Sequence, residues 1–241
     1  MPLSANSHPL ETLQTNSFQK YLPEIIERVG RAASFPLDKR QSDRLAFYFS
    51  ELLKWNRVTN LTGIKDMETL VIKHLGDTIL LLKQIHSHTG TIKTILDIGT
   101  GAGIPGLILK LITPEFNMVL AEALKKKCSF LRFVVARLAL KNIFVEEKSI
   151  GPANPPKHLP ENGFDLIVSQ ATGSVRWFIE TGIDFMAPSG SMVLLKGPAG
   201  ESELKKNVEF LKKKGLCYDL IRTRLPILRH QRLLISIRQE K

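Results

Sequence analysis

The chain is poor in cysteine: Cys128 and Cys217 are the only two in 241 residues, and no C-x-x-C occurs. A disulfide framework is excluded, and the six histidines, His86 and His88 among them, do not stand with cysteines at zinc-ligand spacing, so no metal site is expected. Long apolar runs are also missing. No stretch approaches the ~20 residues that cross a bilayer, and residues 1–16 carry neither a basic start nor a hydrophobic segment, so the expectation is a cytoplasmic protein without membrane span or signal peptide. Repeats and low-complexity tracts are absent. Acidic residues are in deficit, 23 Asp and Glu against 34 Lys and Arg, for a formal charge of +11. That imbalance favours a polyanionic partner, nucleic acid first, although a basic protein kept soluble by its charge would carry it too. The basic residues gather at 125–127, at 212–214, and in the tail at Arg222, Arg224, Arg229, Arg232 and Arg238.

Apolar residues make up 43% of the chain, ample for a core. Residues 18–29, 38–54 and 66–85 read as helices. The second carries Leu45, Tyr48, Phe49, Leu52 and Leu53 at three- and four-residue steps, and the third repeats the stripe through Met67, Leu70, Val71, His74, Leu75, Thr78 and Leu82. Residues 55–63 between them read as a turn. Together they form a helical extension over 1–90 whose first ~16 residues are expected to fray. From Thr94 onward, strands at 94–98, 117–121, 143–146, 165–169 and 191–196 alternate with helices at 105–112, 125–140, 175–186 and 201–214. The pattern predicts a Rossmann-like, doubly wound, mostly parallel seven-stranded sheet over 91–241. Its last two strands, 217–224 and 232–238, are joined too briefly for a parallel crossover and form an antiparallel C-terminal edge. The Pro-rich residues 152–163 read as a surface loop.

The most informative stretch runs from Thr94 through Asp97, Gly99, Thr100, Gly101, Gly103 and Ile104 to Gly106: an apolar strand ends in a carboxylate and turns through glycines into a helix. Glycines are required where backbone turns sharply or approaches a ligand closely. Gly101-x-Gly103-x-x-Gly106 satisfies a dinucleotide fingerprint, and Gly99-x-Gly101-x-Gly103 satisfies the loop that holds S-adenosyl-L-methionine. Asp97 favours the second, because a carboxylate would repel a pyrophosphate but suits an ammonium and a sulfonium. Glu122, about 25 residues on at the tip of the next strand, can accept both ribose hydroxyls of either cofactor.

The acceptor is narrowed by what is missing. After the fourth strand stands Ser169-Gln170-Ala171-Thr172, not the Asn/Asp-Pro-Pro-aromatic run used for exocyclic amines. Methylation at pyrimidine carbon 5 needs a cysteine nucleophile, and both cysteines read as structural. A ring nitrogen with its own lone pair, such as guanine N7, needs no general base. Lys196, ending an apolar strand at the reactive edge, reads as a contact to RNA or to the target base. His74 reads as a core histidine or a site residue that Asp77 orients. Trp55 reads first as packing and second as a base-stacking group.

In order along the chain come Trp55-Asn56-x-Val58-x-Asn60-Leu61-Thr62, Lys73-His74-Leu75-x-Asp77-Thr78, the glycine loop, Lys126-Lys127-x-x-Phe130-Leu131 and Leu195-Lys196-Gly197. This succession resembles the bacterial 16S rRNA guanine-N7 methyltransferase family RsmG, also called glucose-inhibited division protein B. The resemblance implies a class I methyltransferase domain behind a helical segment, with S-adenosyl-L-methionine as donor and guanine N7 of 16S rRNA, free or in a 30S particle, as acceptor. It places Gly99, Ile104, Ile150, Gly151 and Gln170 at the donor and moves His74 and Asp77 toward catalysis on the RNA-facing rim; a monomer is expected. The chain departs from the family where Gln170 and Ser149 replace arginines and Gly151 replaces a glutamate. An oxidoreductase using a dinucleotide, a noncatalytic RNA-binding module, and a methyltransferase acting on another acceptor, a small molecule included, remain alternatives at this level.

Overall fold

The computed structural model describes residues 9–86, 92–170 and 173–240, with side chains from residue 20 onward. The opening residues 1–8, His88, the expected boundary at 90/91, and Ala171 and Thr172 lie outside the described residues. Three helices come first, α1 (Pro9–Ala32), α2 (Lys39–Thr59) and α3 (Met67–His86). Asp38 starts α2 with a capping box: its carboxylate accepts from the Gln41 N–H at 2.7 Å, and the Gln41 side chain accepts from the Asp38 N–H at 2.8 Å. The helix ends at Asn60 in left-handed backbone, φ 49°. It therefore runs on through Trp55–Thr59, where a turn was expected. The tertiary seat of Trp55 explains the extension, its ring lying 5.7 Å from Phe130 and 5.5 Å from Phe133. Along α3 the predicted stripe is buried, and Ile72, Ile79 and Leu81 on other faces are buried too, because the helix is flanked by α1 and by the helix that follows the glycine loop.

The sheet contains β1 (Thr94–Ile98), β2 (Asn117–Glu122), β3 (Ile143–Glu147), β4 (Phe164–Gln170), β5 (Met186–Lys196), β6 (Leu216–Arg224) and β7 (Gln231–Gln239), in the order β3-β2-β1-β4-β5-β7-β6. Strands β1 to β5 pair in parallel, and β7 inserts antiparallel between β5 and β6. The predicted mixed, mostly parallel architecture is thus realised. The intervening helices are α4 (Gly106–Ile112), α5 (Lys125–Arg137), α6 (Val175–Gly182), α7 (Gly200–Lys206) and α8 (Val208–Lys213).

Other boundaries differ from the periodicity: α1, expected over 18–29, begins at Pro9 within the residues expected to fray and runs to Ala32. α5 stops at Arg137, short of 140, because Ala139 and Asn142 take φ of 47° and 55°. The helix expected to run to 186 ends at Gly182, and a 3-10 turn (Ile183–Phe185) leads into β5, which begins at Met186 opposite Phe164. The helix expected over 201–214 is two helices parted at Asn207, whose amide donates to the Glu203 carbonyl at 2.8 Å and so competes with the helical ladder.

Side chains alternate across β1. Ile95 joins the core under α1 to α5, while Leu96 and Ile98 join the core under α6 to α8. The first core is common property, since Leu22, Leu52 and Leu75 of the leading helices share it with Leu107, Leu131, Val193 and Leu234. Among the described residues, no helix is long and apolar enough to cross a membrane.

One polar tie crosses this core. The fully buried Tyr48 of α2 donates its hydroxyl to the Ala102 carbonyl of the glycine loop at 3.0 Å, and burial holds the phenol far above its ordinary pKa. Removing the donor leaves a buried carbonyl unpaired. Tyr48→Phe is expected to cost about 1–2 kcal/mol, read as a lower urea midpoint with an unchanged slope. An unchanged midpoint would show that this bond contributes nothing to the loop's position.

Candidate functional site

Along the chain, β1 is followed on one side by β2 and β3, and the course then switches to β4 and β5 on the other, so the carboxyl ends of β1 and β4 border a natural crevice. The glycine loop occupies it. Asp97 is fully buried, and its Oδ2 accepts from the Thr100 hydroxyl at 2.6 Å and from the Gly106 N–H at 2.8 Å. Both ends of the loop are drawn onto one oxygen. Burial pushes this carboxyl up to about 7, against the pull of those hydrogen bonds and with a further push from the nearby Glu122 charge. Its Oδ1 has no partner among the described residues.

From β2, Glu122 accepts from the Gly101 N–H at 3.0 Å and the Leu124 N–H at 2.9 Å, with the Lys127 ammonium 3.7 Å away. The glycines are dictated by space. At Gly106 a Cβ would lie 2.7 Å from Asp97 Oδ2. At Gly103, φ 94°, it would lie 2.6 Å from the Leu107 Cβ and 2.9 Å from Leu131.

Beyond the loop lies a cleft of about 390 Å³. Gly99, Thr100, Gly101, Ala102 and Ile104 form its floor, Lys73, His74 and Asp77 of α3 form one wall, and Gln170, Lys196 and Arg232 close it from the strand ends. Leu61, Thr62, Lys127, Leu195 and Gly197 complete the lining. Asp77 is the hub of the wall: its Oδ1 accepts from Arg232 Nε at 2.7 Å and its Oδ2 from Gln170 Nε2 at 2.6 Å. Burial holds the Asp77 carboxyl above the usual range, with Arg232 working in the opposite direction. His74 is also buried, and burial, with Lys73 and Arg232 nearby, drives its ring down to about 3, so it is neutral at physiological pH.

Two of the expected site residues also make contacts within the fold. Asp97 was read as facing a cationic ligand directly, but the carboxylate lies behind the loop and off the cleft lining; its contacts brace the backbone that forms the floor. Lys196, expected to touch RNA or a base, lines the cleft, and its ammonium bonds the Gly173 carbonyl at 2.6 Å and Glu203 at 3.1 Å, fastening the β4–α6 connection. Glu122, Gly103, Ile150 and Gly151 also stay off the lining. Ile150 packs in the core under α6 to α8, and Gly151 pairs with Asn154 in a turn. That loop hangs on Glu146, which accepts from the Lys157 and His158 N–H groups at 3.0 Å each.

Cys128 is buried with Sγ 3.1 Å from the Glu122 carbonyl, and burial raises its thiol, unlike an activated nucleophile. Lys73 and Arg232 escaped selection from the sequence. Lys73 stands inside a quoted motif without a role, and Arg232, in the basic tail, reaches Asp77 only because β7 folds back beside β5, pairing Leu233 with Lys196. That antiparallel edge was the available signal.

The family model of GidB, rRNA small subunit methyltransferase G, matches residues 41–224. The ribosomal RNA small subunit methyltransferase G of Burkholderia multivorans is 31% identical over 218 residues, covering 89% of this chain and 92% of its own. The protein of that name from Methylobacillus flagellatus is 31% identical over 183 residues, covering 76% and 84%. Among solved structures, the METTL16 methyltransferase domain gives a TM-score of 0.56 at 18% identity, covering 84% of this chain and 82% of its own. Human methyltransferase 10 domain containing protein gives 0.55 at 14%, covering 85% and 100%; at these identities the likeness concerns the fold alone. With a family match over most of its length laid on a glycine loop, switch-point cleft and antiparallel sheet edge of the expected kind, the chain belongs to the GidB family, rRNA small subunit methyltransferase G.

Proposed function

We propose that the chain transfers a methyl group from S-adenosyl-L-methionine to N7 of a guanine in 16S rRNA, presented free or in a 30S particle, and that it acts as a monomer. The residues suit the donor. The cleft has the volume of a small-molecule site, its floor is glycine backbone, and the buried Asp97 Oδ1 without a partner lies behind that floor, where it favours positive charge in front. Gly99, Thr100, Gly101 and Ile104 would hold the donor, with Glu122, Asp97 and Gly103 fixing the loop. Ile150 and Gly151 would border the adenine, and Gln170 would face the donor from the end of β4. When bound, the donor supplies a methyl carbon on a sulfonium, which leaves as a neutral thioether.

The observation that carries the acceptor is the want of a base. His74, the lining residue best suited to take a proton, has its basicity suppressed to about 3, and Asp77 is tied by Arg232 and Gln170. Guanine N7 offers a lone pair and has no proton to lose. The protein's part is then to hold that nitrogen in line with the methyl carbon and to exclude water. Lys196 serves this by positioning, since it fastens the Gly173 backbone at the cleft's edge.

Incubating the full chain with labelled donor and 16S rRNA or 30S particles from cells lacking this protein is expected to yield a single 7-methylguanosine on nucleoside mass spectrometry. A methyl group on another nucleoside, or none, would sink the assignment. A second expectation concerns pH. A cationic donor favours the ionised Asp97, so binding lowers the raised carboxyl pKa and releases a proton. Affinity should therefore rise from pH 5.5 to 7 and level off above about 7. Calorimetric titration should show this slope in the wild type and a flat profile in Asp97→Asn; equal slopes would remove Asp97 from the linkage.

A further inference from the structure

The cations around the cleft are not equivalent. Lys127 lies 3.7 Å from Glu122, Lys196 is paired with Glu203, and Arg232 is paired with the buried Asp77. Lys73, half-buried one helical turn before Asp77, has no hydrogen bond or ion pair among the described residues. Among the described residues it is the lining cation with no carboxylate at ion-pair distance, its charge acting on Asp77 only through space. Beside it, both ring nitrogens of the buried His74 also lack a partner among the described residues. A buried imidazole with neither nitrogen bonded is costly, and nothing on α3 relieves it.

Both side chains line the same cleft, so one ligand can satisfy both. It must bring an anionic oxygen to Lys73 and a neutral edge carrying donor and acceptor groups to His74. A nucleotide does so with its phosphate and its base. Resting on the reading of the site as an RNA methyltransferase, we propose that Lys73 holds a phosphate flanking the target nucleotide while His74 hydrogen-bonds an edge of the unstacked base, leaving the accepting ring nitrogen bare. The neutral state of His74 suits this task, because a neutral imidazole offers one donor and one acceptor, matching the mixed edge of a guanine.

The test compares wild type with Lys73→Ala, Lys73→Arg, His74→Ala and His74→Gln in the full chain, on 16S rRNA with S-adenosyl-L-methionine, after thermal midpoints confirm folding. Lys73→Ala is expected to weaken rRNA binding about tenfold and to reduce the slope of log affinity against log salt by about 0.7, the counterion share of one single-strand phosphate. Donor affinity stays unchanged, and Lys73→Arg restores most of the loss. His74→Ala lowers kcat/KM on rRNA about tenfold without altering the salt slope, and His74→Gln, which keeps a donor and an acceptor, recovers part of it. An unchanged salt slope in Lys73→Ala, or unchanged kcat/KM in His74→Ala, overturns the proposal. So does a weakened donor affinity in Lys73→Ala, which would make the donor's carboxylate the partner of Lys73. Wild-type protein that methylates no rRNA would bring down the functional reading itself, whereas normal wild-type transfer with indifferent variants brings down this inference alone.

Discussion

A single buried oxygen, Asp97 Oδ2, organises the centre of the molecule. It receives the Thr100 hydroxyl and the Gly106 N–H, so the loop between them is closed onto one atom with its backbone turned outward to the cleft. Taking a carboxylate wholly out of water is expensive, which is why its pKa climbs toward neutrality, and two hydrogen bonds offset only part of that cost. The neighbouring glycines follow from the same oxygen. Gly106 has no room for a Cβ because Asp97 stands there, and Gly103 has none because the returning helix packs against it. Tyr48 holds the far side of the loop through Ala102, and Glu122 holds its near side through Gly101. The leading helices thus help set the shape of the loop, since one of its ties comes from α2.

The sheet, its antiparallel edge and the glycine loop were all legible in the sequence, because each is written in local terms: apolar runs of strand length, a connection too short to cross over, and glycines at fixed spacing. The end of α2 was not legible. Residues 55–59 carry amide and basic side chains that read as a turn, and it is the contact of Trp55 with Phe130 and Phe133, more than 70 residues away, that keeps them helical. Asp97 shows the complementary limit. Its position at the strand tip was evident, but that its carboxylate turns to the loop's own Thr100 hydroxyl and Gly106 N–H is a tertiary contact of which periodicity says nothing.

Charge pairing was the least legible layer. The excess of basic residues drew attention to exposed clusters, whereas the basic groups that shape the cleft are scattered: Lys73 on α3, Lys127 on α5, Lys196 on β5 and Arg232 on β7. Those that are paired have partners up to 155 residues away, as with Arg232 and Asp77. Lys196 looked like an RNA contact because a lysine ending a buried strand has few structural reasons to be there. The structure supplies one, the Gly173 carbonyl 23 residues earlier together with Glu203 of the helix that follows the strand.

The same pairing bears on the departure at Gln170. Where an arginine would bring a second guanidinium against Asp77, the glutamine amide brings a neutral donor, and among the described residues the guanidinium bonded to that carboxylate is that of Arg232. A second guanidinium would add another positive charge to a corner where both Arg232 and Lys73 already act on the Asp77 carboxylate. In the proposed reaction a neutral guanine becomes a cation, and a further fixed positive charge beside the ring would oppose the charge that develops on it. A glutamine at this position is therefore compatible with the proposed methyl transfer to a ring nitrogen, and the hairpin that carries Arg232 is part of the site's electrostatics as well as the sheet's edge.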